Sequence, residues 1–472
     1  MILFKQLPAP QKSPASLILG QKSGTCGERT TSKRNKVTAA ALILALLPVI
    51  GCTLLPSTVR AATITAASCS RNDVGTAVNN AVNGDIVRIP AGTCTWTTTL
   101  TINAKYLTLE GAGPNSTIIV DGVSKAAYPN VPHVLVWTTP TTGLSRLAGM
   151  TFQGQSQDTS NKGMVIIKGA SHSFRIDHNK FVPNGTTAMF LYGDLWGVID
   201  HNVFDMSAQK GYGLYVMGAG YGDASWADGS TLGTEENVFL EDNLFTQDRS
   251  KGFFYPAMDG WAGHRVVFRY NQLNAVKIGN HGTESGGRQR SARQYEYYNN
   301  TWTWDMYSPA TPSTSKNGYP SLFAIRGGTG VIYNNTATIT NGSIAAFADF
   351  QYYRAGTSYS PWGKCPSIWD QSATRCLDQT GVGGGTLLSG TTPTPSGWPD
   401  QANDPAYVWN NKINGVVSAP ISQVPSVVQE GRDFILTAKP GYTPYTYPHP
   451  LVSGATVNPG PILPAPTNLS VQ

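Results

Sequence analysis

The sequence predicts an all-β fold, a right-handed parallel β-helix with an N-terminal cap and long lateral loops. Three observations lead to this prediction. A short unit built around Asn recurs seven times along the chain. Only 13% of the 472 residues are charged while 50 are Gly, a composition that suits short strands joined by turns. The intervals between the units fit the coils of a solenoid with outward loops better than the steady period of a propeller.

The recurring unit has an apolar residue, two variable residues, Asn, one variable residue and a second apolar residue. Its shortest Asn-to-Asn interval is 23 residues, which fits one coil without a loop. Apolar residues at alternate positions of a strand point into a narrow core. An Asn at each corner tolerates a bent backbone and bonds to the Asn of the next coil, which predicts an Asn ladder. The seven residues are Asn179, Asn202, Asn243, Asn271, Asn300, Asn335 and Asn411.

The start of the solenoid needs a cap, because an open end exposes both the core and a strand edge. Residues 73–82 are predicted to form a short amphipathic helix that serves as this cap, followed by a strand over 86–89. We expect the β-helix to span 62–458 and a Pro-rich tail to follow over 459–472.

Residues 1–61 have the pattern of an export signal. Three basic residues at 33, 34 and 36 precede an apolar run over 37–50, the order typical of a secretory signal. The run ends either in a lipoprotein box at Cys52 or in an ordinary cleavage site at Ala61. We therefore expect an extracellular, periplasmic or cell-surface protein, with a surface lipid anchor if Cys52 is used.

Removing that segment changes the charge balance. It holds eight basic residues and one acidic residue, so the formal charge of +6 falls to −1 for the rest of the chain. A chain with no basic excess gives no reason to expect a nucleic-acid partner.

Four cysteines remain outside residues 1–61, as expected of an oxidising compartment. Proximity favours two disulfides, although four cysteines permit three pairings. The favoured pairs are Cys69–Cys94 and Cys365–Cys376.

Several segments resemble a known superfamily. They are Ser68–Ser70 with Ile89–Trp96, the Asp-His-Asn-x-Phe units, and Pro440–Pro450. These resemble bacterial secreted right-handed β-helix proteins of the pectate-lyase-like superfamily. The resemblance implies the fold and a polysaccharide partner. It does not select an activity, because the superfamily includes lyases, hydrolases, esterases, epimerases and adhesins, and the best-known catalytic motifs are not matched.

One column of side chains lies a strand upstream of the Asn corners. Asp259, His281 and Arg326 each precede a Gly, and in register they would stand about 5 Å apart on consecutive coils. An acid, an imidazole and a guanidinium in one column suit proton transfer and carboxylate binding. The alternative is a hydrogen-bonded surface corner without a catalytic role.

Two chemistries fit these residues. In a lyase, His281 is the base oriented by Asp259, and Arg326 with Arg288 or Arg290 binds a uronate carboxylate. In a glycoside hydrolase, Asp259 and Glu284 are the carboxylate pair. We expect a lyase that acts by β-elimination, with the hydrolase and a non-catalytic glycan-binding or cell-surface β-helix as alternatives.

Cationic and aromatic side chains surround this column in sequence and are candidates for substrate binding, since aromatic faces stack on sugar rings. They are Arg265, Arg288, Arg290, Arg293, Tyr255, Trp261 and Trp226. The alternative is that the arginines neutralise nearby acids and the aromatics anchor loops.

A second group of acidic residues precedes three Asn corners. Asp177, Asp200 and Glu241 would stack on consecutive coils and are weak candidates for a Ca²⁺ site with oxygen ligands. A stacked surface with His and Asn partners is the commoner arrangement. No other cofactor is indicated, and we expect a monomer that binds a polysaccharide.

Overall fold

The structure is a computed structural model. It describes residues 61–124, 133–155, 163–208, 211–219, 225–226, 228–248, 256–282, 290–306, 321–351, 376, 378–383 and 402–454. The predicted tail and all but the last residue of the predicted export signal lie outside the described residues. Within the described ranges, no helix has the length and apolar character needed to cross a membrane.

The described chain winds through three long sheets, which we call I, II and III. Each coil contributes one strand to sheet I, then one to sheet III, then one to sheet II. Sheet I contains β1 (Thr63–Thr65), β2 (Ile86–Ile89), β5 (Thr108–Gly111), β8 (Ser145–Ala148), β11 (Phe174–Asp177), β14 (Gly197–Asp200), β17 (Val238–Glu241), β20 (Arg265–Arg269), β23 (Gln294–Tyr298), β26 (Thr329–Tyr333), β31 (Ala406–Trp409) and β35 (Phe434–Ile435).

Sheets II and III complete the coils. Sheet II contains β4 (Leu100–Asn103), β7 (Leu135–Thr139), β10 (Val165–Gly169), β13 (Thr187–Gly193), β16 (Tyr212–Met217), β19 (Pro256–Trp261), β22 (Lys277–Asn280), β25 (Ser321–Ile325), β28 (Ala346–Phe350) and β34 (Ile421–Ser422). Sheet III contains β3 (Gly92–Trp96), β6 (Thr117–Asp121), β9 (Thr151–Gly154), β12 (Lys180–Val182), β15 (Val203–Asp205), β18 (Leu244–Thr246), β21 (Gln272–Asn274), β24 (Thr301–Asp305), β27 (Thr336–Thr340), β32 (Lys412–Ile413) and β33 (Val416–Val417).

Neighbouring strands of successive coils run parallel, as in the pairs β10–β13, β14–β17 and β24–β27. Antiparallel pairing occurs where β33 folds back on β32 and in the separate pair β29 (Val382–Gly383) and β30 (Ala402–Asn403). The prediction of an all-β, parallel β-helix is confirmed.

The Asn ladder forms as predicted. The amide of Asn202 donates to Oδ1 of Asn243 at 3.0 Å, and the amide of Asn243 donates to Oδ1 of Asn271 at 3.0 Å. The same geometry links the remaining members from Asn179 to Asn411. The bent backbone belongs to the residue before each Asn, for example Asp242 with φ of 57°. Each ladder Asn therefore stabilises a left-handed corner made by its neighbour.

Inside the coils, aromatic rings stack in register along sheet III. The centroids of Phe181 and Phe204 are 5.0 Å apart, and those of Phe204 and Phe245 are 4.6 Å apart. These are the second apolar residues of the repeated unit, and all three are fully buried. Each coil therefore buries its core side chains against the coils on either side.

The first coil is closed by α1 (Arg71–Asn80), which begins two residues before the predicted helix. Ser70 ends the preceding turn and its side chain accepts a hydrogen bond from the Asp73 amide, so it caps the helix. The predicted disulfide between Cys69 and Cys94 is present, with the two Cα atoms 5.8 Å apart.

Part of the outer face of sheet I, from β11 to β31, contacts residues 439–453, which we call the C-terminal strap. It ends in the short helix α2 (Pro450–Ser453). Arg175 donates to the carbonyl of Leu451, and Arg269 donates to the carbonyls of Tyr445 and Thr446. These bonds hold the strap to side chains that would otherwise face water.

Candidate functional site

The outer face of sheet II carries the candidate site. Along each strand, core residues such as Met258, Ile278 and Phe323 alternate with outward residues. Asp259 and Gly279 are paired across β19 and β22, and both lie at outward positions. Strands of one sheet are about 4.8 Å apart. Outward side chains at paired positions therefore form rows that run across successive coils.

Two predicted residues meet directly in this face. Nδ1 of His281 and Oδ1 of Asp259 are 2.8 Å apart. The Asp259 side chain is 8% exposed and that of His281 is 22% exposed. An ionised carboxylate can only accept a hydrogen bond, so Nδ1 carries the proton and Nε2 is the basic nitrogen of the neutral ring.

The register of the predicted column needs one correction. His281 and Arg326 follow directly on the pair Asn280–Ile325, so these two share a row as expected. Asp259 is instead paired with Gly279, two positions before His281. The bond from His281 to Asp259 therefore runs diagonally between adjacent strands.

Gly279 makes room for this diagonal bond. A Cβ atom at this position would lie 2.6 Å from Oδ1 of Asp259, well inside van der Waals contact. The absence of a side chain in that row lets the Asp259 carboxylate lean toward His281.

Two cationic side chains, Arg326 and Lys277, influence the pKa of Asp259 in this pair. Burial alone would raise the pKa of Asp259, but the charge and hydrogen bond of His281 and the charges of Arg326 and Lys277 hold that pKa below its ordinary value. Burial lowers the pKa of Lys277, and the Arg326 charge acts in the same direction while Asp259 opposes it. The site thus holds an ionised acid, an imidazole and two cationic side chains within one patch.

Aromatic side chains lie on the N-terminal side of this patch. The Phe190 and Tyr215 rings are stacked with centroids 5.0 Å apart, and the Tyr212 ring stacks on Tyr215 at 5.1 Å. Tyr215 is paired with Asp259 across β16 and β19. An aromatic surface therefore leads along the coils to the Asp259–His281 pair.

Amides and a carboxylate lie on the C-terminal side. Oδ2 of Asp349 accepts hydrogen bonds from Nε2 of Gln351 at 2.9 Å and from Nε2 of Gln423 at 2.6 Å. Asp349 occupies the same row as Gly279 and Ala324, on the next strand beyond β25. Together these residues continue the face by two coils.

Three predicted substrate contacts instead form a buried cluster. Arg290 makes a two-point ion pair with Asp378, with bonds of 2.7 and 2.8 Å. The guanidinium carbons of Arg290 and Arg293 lie 4.7 and 5.3 Å from the ring centroid of Trp226. All three side chains are fully buried, so their predicted role in substrate contact is corrected to a structural one.

Arg265 lines a cavity of about 400 Å³ with Trp196, Glu236 and His264 at the corner between sheets II and I. Its guanidinium donates to the side chains of Ser225 and Thr231 and to the Ser225 carbonyl. Arg265 therefore anchors this corner and does not reach the Asp259–His281 pair.

Some predicted residues cannot be placed. Glu284, Arg288, Tyr255 and Cys365 lie outside the described residues, and Trp261 is described in its backbone only. Cys376 is buried and disulfide-bonded, but its predicted pairing with Cys365 stays a prediction.

The three calcium candidates bind arginines. Asp177 accepts from Arg146, Asp200 from Arg175 and Glu241 from Arg269, in ion pairs of 2.5 to 2.8 Å on the outer face of sheet I. Over the ranges the structure describes, no group of three or more His, Cys, Asp or Glu side chains is arranged to hold a metal ion. Guanidinium groups occupy the carboxylate oxygens that a cation would need.

Sequence reasoning missed Lys277 and Asp349. Lys277 was detectable, because in Lys-Ile-Gly-Asn-His the residues 277, 279 and 281 alternate with core positions and so share one face. Asp349 carried no such signal, because only the strand pairing places it in the row of Asp259.

No known family model matches the chain, and no curated protein matches it. Among solved structures it is similar to DFA-IIIase from Arthrobacter chlorophenolicus A6, with 12% identity over 75% of this chain and 82% of that one and a TM-score of 0.36. It is also similar to an alginate lyase from Paenibacillus sp. str. FPU-7, with 12% identity over 77% of this chain and 98% of that one and a TM-score of 0.32. The catalytic domain of a GH87 alpha-1,3-glucanase shares 12% identity over 81% of this chain and 69% of that one, with a TM-score of 0.32.

Proposed function

We propose that this protein is an exported polysaccharide lyase that cleaves a uronate-containing glycan by β-elimination. The observation that carries the proposal is the 2.8 Å bond between His281 and Asp259 on the outer face of sheet II. A histidine that is oriented by an ionised carboxylate at Nδ1 can act as a general base through Nε2. The Cys69–Cys94 disulfide supports export, since disulfides persist in oxidising compartments.

The elimination requires one base and one cationic site. Nε2 of His281 takes the proton from the sugar carbon next to the carboxylate. The electron pair left on that carbon forms a double bond to the neighbouring ring carbon as the glycosidic carbon–oxygen bond breaks. The departing oxygen takes up the proton that His281 acquired, which returns the imidazole to its neutral form.

Arg326 and Lys277 supply the cationic site. A guanidinium binds a carboxylate by two parallel hydrogen bonds, and the Lys277 ammonium adds a second positive charge. Removal of the proton places negative charge on the carboxylate oxygens, and fixed cations stabilise that charge in the transition state. Arg326 shares a row with His281 on the neighbouring strand, and Lys277 occupies an outward position of the strand that leads to His281.

The row of Asp259 holds no second described carboxylate at the distance that a glycoside hydrolase needs, while Glu284, the predicted partner of Asp259, lies outside the described residues. Asp259 is engaged with His281. The other carboxylate of the row, Asp349, lies three strands away, which is about 14 Å at the usual strand spacing. Glycosidase pairs are about 5 to 9.5 Å apart.

A glycan panel with matched variants tests the proposal. Wild-type protein is incubated with acidic and neutral polysaccharides, and products are followed by ultraviolet absorbance of the unsaturated sugar and by new reducing ends. We expect absorbance on at least one uronate polymer and its loss in His281→Ala. The control is His201→Ala, another exposed His bonded to an Asp, at 2.9 Å, but at the end of sheet I. New reducing ends without absorbance, or binding without cleavage, would overturn the lyase proposal.

A further inference from the structure

A cavity of about 400 Å³ lies beside the candidate site, at the corner where sheet II leads into sheet I. Met217, the last residue of β16, lines this cavity and lies two positions beyond Tyr215, the residue that is paired with Asp259. At about 3.3 Å per residue, the cavity begins about 7 Å along the strands from the row of Asp259. Pockets for small molecules are commonly about 300 to 1,000 Å³, so this cavity has room for one or two sugar units.

The cavity has an aromatic side chain in its wall, that of Trp196. This ring is half-buried and stacks on His172, with the ring centroids 3.6 Å apart and the planes 5° from parallel. Nε2 of His172 in turn lies 3.0 Å from Oδ2 of Asp194. The indole is therefore held in place before a ligand arrives. An aromatic ring fixed in this way can pack on the apolar face of a sugar with little loss of side-chain freedom.

The cavity also has a hydrogen-bond donor in its wall, the guanidinium of Arg265. Its Nε donates to Oγ of Ser225, and its Nη1 donates to Oγ1 of Thr231 and Oε1 of Gln294. Its Nη2 donates to the Ser225 carbonyl. These bonds use four of the five guanidinium N–H groups. One N–H of Nη2 therefore has no partner among the described residues and is available to a ligand.

Three carboxylates line the same cavity, those of Asp194, Asp228 and Glu236. Burial and the charge of Arg293 lower the pKa of Arg265 to about 10, and these three carboxylates act in the opposite direction. Among the described residues, however, Arg265 bonds only to neutral groups. The guanidinium and the carboxylates thus share a cavity without pairing. A hydroxyl group both donates and accepts hydrogen bonds, so a ligand with several hydroxyls can bridge them.

We propose that this cavity is a second sugar site, which binds one or two neutral pyranose units. The Trp196 ring packs on the apolar face of the sugar, and the sugar hydroxyls donate to the carboxylates and accept from Arg265. Carboxylates accept hydrogen bonds but do not donate them, so they select hydroxyl groups, whereas the carboxylate of a uronate brings no donor. The proposal goes beyond the lyase function and does not depend on elimination chemistry.

Ligand-observed NMR titration of the full chain with the methyl glycosides of glucose, galactose and mannose tests the proposal. We expect saturable binding of at least one of them. Trp196→Ala should weaken that binding by about tenfold, because the aromatic contact is lost. Glu236→Gln keeps the side-chain shape and should weaken it by about threefold or more, since a neutral amide accepts a hydrogen bond less strongly than a carboxylate.

Trp409→Ala is the matched control, because it removes another half-buried Trp that stacks on a ring, that of Tyr333 at 4.3 Å, but on sheet I. It should leave the affinity unchanged. Thermal unfolding of each variant checks the fold, and Glu236→Gln decides the matter if Trp196→Ala does not fold. Absence of binding, equal affinity in wild type and Glu236→Gln, or equal binding of methyl glucuronide would overturn the proposal. Ultraviolet absorbance on uronate polymers reports on the lyase function separately.

Discussion

Nδ1 of His281 bonds to Oδ1 of Asp259 at 2.8 Å across a register offset of two positions. The diagonal bond exists because Gly279 stands opposite Asp259 and contributes no side chain. Three residues on two coils therefore determine the orientation of one imidazole.

Replacing Asp259 by Asn tests the role of the carboxylate. We expect Asp259→Asn to lower kcat by about a hundredfold or more with little change in KM, because an amide donor to Nδ1 favours the tautomer that carries its proton on Nε2. Steady-state rates on the preferred uronate polymer measure both constants. Asp305→Asn on sheet III should retain wild-type rates. Undiminished kcat in Asp259→Asn would show that the pair is not catalytic.

Adding one methyl group at position 279 tests the geometry. In Gly279→Ala the new Cβ would lie 2.6 Å from Oδ1 of Asp259, so the carboxylate must move away from His281. We expect kcat to fall by about tenfold or more, since small misplacements of catalytic groups are costly. Gly229→Ala is the control, because a Cβ there meets nothing within 4 Å. If the two variants had equal activity, the diagonal bond would not matter for turnover.

The strap rests on buried ion pairs, and removing one partner tests their importance. Arg269→Met leaves Glu241 buried without its cation, which we expect to lower the free energy of unfolding by about 3 to 5 kcal/mol. Urea unfolding followed by fluorescence measures this change. Arg88→Met is the control: its ion pair with Glu110 is 49% exposed on the arginine side and should contribute less than about 1 kcal/mol. Similar losses in both variants would contradict the prediction.

Glu296 is expected to make stability depend on pH. Burial raises its pKa to about 7, although hydrogen bonds from Tyr442 and from the Gly233 amide oppose that shift. The native state then holds this proton more tightly than the unfolded chain. Its contribution to stability is therefore full below the ordinary pKa of glutamic acid and declines as the pH rises toward about 7.

Glu296→Gln should flatten that dependence, because the amide is neutral at every pH. Between about pH 5 and about pH 8 the wild type should lose on the order of 3 kcal/mol more than the variant. Unfolding free energies at the two pH values give the difference, and Glu430→Gln, at an exposed position, should behave as the wild type. Identical slopes in wild type and Glu296→Gln would show that Glu296 does not titrate in this range.

The fold was predictable because its determinants are local. Each coil repeats the same apolar spacing, and each corner repeats an Asn whose amide reaches the next coil. The neighbouring left-handed residue varies in type, as His201, Asp242 and Tyr270 illustrate. Each corner therefore consists of two residues, of which only the Asn is recognisable from the sequence.

The site was only partly predictable, because register is decided by strand pairing. Asp259 and His281 both precede a Gly, which placed them in one column from sequence. In the structure β19 continues through Gly260, where a Cβ atom would lie 2.6 Å from the His264 ring. That glycine does not mark the end of the strand, and the column shifts by two residues.

The arginines were misassigned for a different reason. Arg290 pairs with Asp378, 88 residues further along the chain, and no sequence pattern links the two. A dense group of cations in a chain with few charges resembles a binding site until their distant partners are known.

The C-terminal strap also orders events during synthesis. Arg175 bonds to the carbonyl of Leu451, which is 276 residues later in the chain. A polypeptide made from its N-terminus therefore completes most coils before the residues that seal sheet I exist. In that interval the outward ion pairs are hydrated, and they become dry only when the last segment docks. In a chain truncated before the strap, the outer face of these strands would stay exposed to water. Docking of the strap is therefore the last step in completing sheet I.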